Sequence, residues 1–347
     1  MSAQLRLSRG PPCIALHLKK NTMMQTQAKF LKCMAAVLIS GTVLFNIACA
    51  QARPQPADNQ LVLPAQTYSI PFYWQGDSVN SKWEPHTAIL IPVKLKNCPK
   101  QFYMQFDLGS PYSLFYTNKL AAIQSKYPKA LQLDKTADKL LNFSFKAGKM
   151  PVTAKEIVVK QFDSSSINWK SNSIEIIGTL GVDLIDGKTA VIDYPAKKLV
   201  LSAAVSPKLL PRLSLNDFMY VGRRILFPSV IQGKQTMLYF DTGSSMYELL
   251  TSKQTCEALA VPGTALIQNK VWSWSRFLTA NSLASNASIT IGGINVPVHY
   301  VTYMEGTSNS QAEQMMKMGI GGMTGNKIFL DYKLVLDTKN KKFGLVK

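Results

Sequence analysis

Apolar and polar residues alternate over Thr87–Lys94, Glu156–Phe162, Ser288–Ile291 and Val296–Tyr303, and a period of two predicts half-buried strands. Glycine, proline and asparagine punctuate the stretches between them, so the chain reads as mostly β. Helix-compatible stretches are short. Asn118–Ser125 follows Thr117, and Ser252–Leu259 follows Thr251; each threonine stands where a cap would start a helix.

The pattern occurs twice. Phe106-Asp107-Leu108-Gly109-Ser110 is matched by Phe240-Asp241-Thr242-Gly243-Ser244-Ser245, and Thr117 and Thr251 each lie 10 residues beyond the aspartate. Lys119 and Lys253 follow in the same register. A second block repeats with Gly181 12 residues before Asp193, and Gly325 12 residues before Asp337. Each aspartate there sits in a polar turn between two apolar runs, Thr189–Leu201 and Leu334–Leu345. Asp193 and Asp337 are therefore expected as hairpin-turn residues. The division predicted is a leader over 1–50, an extension over 51–84, a first lobe over 85–210 and a second over 211–347.

Two carboxylates, Asp107 and Asp241, each follow an apolar run and precede a Gly-Ser turn. Gly109 and Gly243 let the backbone bend close behind them, and Ser110 and Ser244 are placed to hydrogen-bond a carboxylate. If the halves pack about a pseudo-twofold axis, the aspartates meet there. Two ionised carboxylates about 3 Å apart would repel by roughly 5 kcal/mol at an effective dielectric of about 20, so the pair is expected to share one proton. Other chemistries lack support. Beyond the leader only His86 and His299 are available for a Ser-His or Cys-His system, and neither has a recognisable setting. No His/Cys cluster has metal-ligand spacing. The run Gly319–Gly325 lacks the spacing of a phosphate loop, and no cofactor or metal is expected.

These motifs resemble the aspartic-protease superfamily in its bilobal, pepsin-like arrangement, each half also being similar to a retropepsin-type domain. The resemblance runs from about residue 85 to the C-terminus. It implies two pseudo-twofold-related, barrel-like β lobes with a cleft between them, and peptide-bond hydrolysis by Asp107 and Asp241 through a shared-proton dyad. Gly109, Ser110, Thr242, Gly243 and Ser244 would support the dyad, and Ile177-Gly178-Thr179-Leu180-Gly181 resembles the element that brackets the catalytic loop. Two departures stand out. Leu108 replaces the hydroxyl residue that would reach across the axis, removing one of two reciprocal bonds at a cost of about 1 kcal/mol. The stretch expected to form the first-half flap, about Asn142–Thr153, has no tyrosine. Phe143, Phe145 and Met150 are its candidate cover residues. Lys270–Phe277 takes the matching place in the second half, with Trp272 and Trp274 as candidate cleft residues. The alternative function is a non-catalytic relative that binds peptides or envelope partners in the same cleft.

The N-terminus has the order of an export signal: Lys29 and Lys32, an apolar stretch from Cys33 to Phe45, then small residues. Ala48-Cys49-Ala50 fits a cleavage site, and Cys49 equally fits a lipidation site that would attach the protein to a membrane. Residues 1–22 precede Met23 and Met24 and read as an over-called start. An exported protein is expected: periplasmic, lipid-anchored or secreted, and monomeric. The net charge is +19; six of the 39 basic residues and none of the 20 acidic ones fall in residues 1–50, leaving +13. A dispersed basic surface accounts for this, and no basic run interleaved with aromatics points to nucleic acid. Cys98 and Cys256 are expected as buried free thiols.

Overall fold

The computed structural model describes residues 58–347 except 134–137, 163, 171, 274–275 and 307–318. The leader, including Cys49, lies outside the described residues. In chain order the strands are β1 Leu61–Val62, β2 Tyr68–Pro71, β3 Tyr73–Val79, β4 Lys82–Leu95, β5 Phe102–Phe106 and β6 Leu114–Tyr116. Helix α1, Thr117–Lys126, leads to β7 Lys139–Ala147, β8 Met150–Lys160, β9 Ile176–Leu180, β10 Thr189–Asp193 and β11 Lys198–Ser202. The second half comprises β12 Asn216–Asp217, β13 Met219–Val221, β14 Arg224–Ile231, β15 Lys234–Phe240 and β16 Leu249–Leu250. Helix α2, Lys253–Leu259, precedes β17 Ile267–Ser273, β18 Arg276–Ile291, β19 Ile294–Glu305, β20 Ile320–Thr324, β21 Lys333–Asp337 and β22 Lys342–Val346.

The two halves repeat one pairing scheme. In the first, β5 runs parallel to β9, while β6 pairs antiparallel with β9 and parallel with β8. In the second, β15 runs parallel to β20, while β16 pairs antiparallel with β20 and parallel with β19. A third sheet joins them in the order β12-β22-β21-β10-β11-β2. Its centre is the antiparallel pair β10–β21 with Val191 opposite Val335, so the closing hairpins of the two halves meet about a pseudo-twofold axis. This is the mostly-β, two-lobed architecture that the repeat predicts. One buried apolar cluster runs through both lobes and the shared sheet, from Phe106 and Phe115 through Ile192 and Leu334 to Phe240.

Local chemistry explains the turns. Asp193 Oδ1 accepts from Ala196 N at 3.1 Å, and Asp337 Oδ1 accepts from Asn340 N at 3.0 Å, the expected turn role. The helix caps differ from the sequence expectation. Ser252, not Thr251, caps α2 by accepting from Thr255 N at 3.1 Å. Thr251 instead donates to Gly321 O at 2.6 Å, tying the helix start to β20. The first helix begins at Thr117 itself, with Tyr116 at the cap position and no side-chain cap bond. Cys98 and Cys256 are buried free thiols.

Candidate active site

Alternation along two strands delivers the aspartates. Phe102, Met104 and Phe106 of β5 are buried in the core, as are Leu238 and Phe240 of β15. The intervening residues Tyr103 and Gln105, and Tyr239 on the other side, turn to the opposite face. Asp107 and Asp241 follow at the strand ends on that face. Asp107 N donates to Leu180 O at 2.9 Å and Asp241 N to Thr324 O at 3.0 Å, so each candidate turn is pinned to the neighbouring parallel strand by the same bond.

The aspartates meet at the axis. Each carboxylate accepts from the amide two residues on, Asp107 Oδ1 from Gly109 N at 2.9 Å and Asp241 Oδ1 from Gly243 N at 2.7 Å. Each also lies over the other lobe's glycine. A methyl built on Gly243 would stand 2.6 Å from Asp107 Oδ1, and one on Gly109 would overlap the Asp241 carboxyl. Only glycine permits so close an approach. Asp107 is pushed up to about 8 by burial first, then by the neighbouring Asp241 carboxyl.

The supporting residues are asymmetric. Thr242 Oγ1 crosses the axis, accepting from Leu108 N at 2.8 Å and donating to Phe106 O at 2.8 Å. Leu108 is fully buried and returns no such bond from its side chain. Ser244 Oγ donates to Asp241 Oδ2 at 3.0 Å. Ser110 does not do the same for Asp107, contrary to the sequence expectation: its Oγ donates to Tyr112 O at 2.8 Å, drawn into its own turn.

Buried polar groups that the motif reading missed brace the turns from behind. Asp183 accepts from Ser113 N and Oγ, both at 2.7 Å, and its carboxyl is raised to about 6, chiefly by burial. In the second lobe Asn326 Nδ2 donates to Thr242 O at 3.1 Å and Ser245 Oγ at 2.9 Å, while Asn326 Oδ1 accepts from Tyr194 OH at 2.7 Å. The available signal was position: Asn326 directly follows Gly325, and Asp183 comes two residues after Gly181.

The expected first-lobe flap is elsewhere. The β7–β8 hairpin turns at Gly148, whose amide donates to Pro92 O at 2.7 Å and which lies against Ile70 and Pro71. Phe145 is buried, its ring 5.4 Å from that of Phe115 and 6.4 Å from that of Phe143. Phe145 and Met150 therefore belong to the core and do not cover a cleft. By its pairing with β4, β7 is the counterpart of β18, which pairs with β14. The β17–β18 hairpin has no first-lobe counterpart among the described residues. Trp272 lies on it opposite Phe277, and Trp274 lies outside the described residues. The first lobe contributes a different projection, the β3–β4 hairpin. Asn80 at its turn donates to Gln268 O of β17 at 2.6 Å, and Glu84 pairs with Lys327 at 2.7 Å.

The site is thus a pair of half-buried carboxyls with an amide behind each and a hydroxyl on one, built on a duplicated β fold. No protein-family model matches the chain, and no curated protein matches it in sequence. Among solved structures it is similar to the crystal structure of aspartic proteinase from Irpex lacteus, 13% identical, covering 81% of this chain and 97% of that chain with a TM-score of 0.45.

Proposed function

We propose that the protein is an aspartic-type endopeptidase. The observation that carries this reading is the reciprocal placement of Asp107 and Asp241, each carboxyl over the other lobe's glycine and each accepting from the amide of its own. Asp241, with donors from both Gly243 N and Ser244 Oγ, takes the general-base role and draws a proton from a water bound between the carboxyls. Asp107, with its pKa raised and without a serine hydroxyl on it, carries the shared proton and gives it to the scissile carbonyl as the water oxygen bonds to the carbon. Collapse of the tetrahedral adduct breaks the C–N bond, the amine leaves with the proton returned through Asp241, Asp107 recovers its proton from the adduct's hydroxyl as the carbonyl re-forms, and no covalent enzyme intermediate forms. The β17–β18 hairpin is our candidate for the substrate side of the cleft.

The test is cleavage of a mixed peptide library by the wild type, Asp107→Asn and Asp241→Asn. Cleavage abolished by either substitution supports the reading. A folded wild type that binds peptides without cutting them favours the second reading, a peptide-binding relative, for which Leu108 is the specific observation. Export by the N-terminal leader, with or without lipid on Cys49, belongs to the same proposal.

A further inference from the structure

Leu108 leaves the axis with a bridging hydroxyl from one side only, yet the turn that bears Asp107 has a second contact from the opposite lobe. Tyr239, two residues before Asp241, directs its hydroxyl across the cleft and donates to Gly109 O at 3.2 Å. Its neighbours Leu238 and Phe240 are fully buried in the core, which fixes the strand and leaves the phenol on the face shared with Asp241. The pairing register makes Gln105 its counterpart, since Gln105 stands opposite Leu90 and Tyr239 opposite Leu226. The first lobe thus has no phenol at this place. Thr242 holds the backbone on either side of Asp107, at Phe106 O and Leu108 N, and Tyr239 holds it at Gly109 O. All three bonds come from the second lobe.

We propose that Tyr239 is a positioning residue that holds the Asp107 turn in register with Asp241, supplying from the second lobe the restraint that Leu108 cannot supply from the first. The charged groups acting on the phenol are Asp241, Asp107 and Arg224; burial and the two carboxylates keep its proton on, so it remains a donor throughout the working range. The proposal deepens the peptidase reading. Its test must therefore have a readout that survives if that reading fails.

The experiment compares the full chain with Tyr239→Phe, Leu108→Thr and the double variant, by peptide turnover and by carboxyl-carbon NMR titration of the dyad without substrate. A phenylalanine keeps the ring and removes only the donor. Tyr239→Phe is expected to lower kcat about tenfold with KM within twofold, and to narrow the gap between the dyad's two titration steps. A threonine at 108 would meet Thr242 N and Phe240 O as Thr242 meets Leu108 N and Phe106 O, so the double variant is expected to recover most of both losses. Titration steps in Tyr239→Phe that coincide with the wild type, or a double variant no better than Tyr239→Phe alone, would overturn the proposal. Because the titration needs no substrate, a protein that cleaves nothing still decides the role of Tyr239.

Discussion

Burial contributes more than charge repulsion to the raised pKa of Asp107, and the Gly109 and Ser110 amides oppose it only in part. An acid whose native pKa is raised to about 8 from 3.8 binds a proton more tightly folded than unfolded. Its stabilising effect is fully present below pH 3.8 and is lost as pH rises through about 8. Asp107→Asn removes that loss. The variant should melt higher than the wild type at pH 8, with the gap closing by pH 4; parallel thermal melts check this, and a gap that does not change with pH contradicts it. The two aspartates, their glycines and Thr242 were legible because the motif appears twice. Ser110 was misread because a hydroxyl two residues from a free carbonyl, that of Tyr112, finds a local partner sooner than a distant one. Tyr239 was missed because it precedes the motif and differs from its counterpart Gln105.

At the scale of elements, the two aspartate turns depend on strands that run close behind them. A methyl on Gly325 would overlap Ser244 O and stand 2.7 Å from Ser244 C, with Ser245 O also close. Gly325→Ala should therefore push the Asp241 turn out of register, at a cost of about 1–3 kcal/mol in stability and a larger loss of activity. Chemical denaturation and peptide turnover measured together check it; a variant within error of wild type in both contradicts it. The closing hairpins and short helices were readable from turn residues and spacing. One repeat escaped notice: Ile89-Leu90-Ile91-Pro92-Val93 and Ile225-Leu226-Phe227-Pro228-Ser229 occupy matching places in β4 and β14. The flap was misplaced because alternation marks a hairpin but not where it docks. Only pairing with β4 places β7–β8 against Pro92 and Ile70 rather than near the carboxyls.

For the whole molecule, the lobes share a sheet and a core, so neither is free to unfold alone. The β10–β21 ladder links them, and three ion pairs among the described residues add to it: Glu84 with Lys327, Asp193 with Lys333, and Arg223 with Asp186 at 3.0 Å. Arg223 is buried, so that pair is screened less than a surface one. Thermal unfolding should be a single transition with equal calorimetric and van't Hoff enthalpies; two resolved transitions would contradict a shared core. The duplicated architecture was legible because each half repeats its own spacing. The lobe-to-lobe contacts were not, since Glu84 and Lys327 lie 243 residues apart with no repeated pattern to link them.

The central claim is that Asp107 and Asp241 form one titrating unit. The most direct measurement is carboxyl-carbon NMR of aspartate-labelled protein across pH 3–9, for the wild type and Asp241→Asn. The account predicts one dyad carboxyl that stays protonated into the neutral range, with a titration that moves down when Asp241 loses its charge. Two dyad carboxyls that both titrate near pH 4, unchanged by Asp241→Asn, would contradict it.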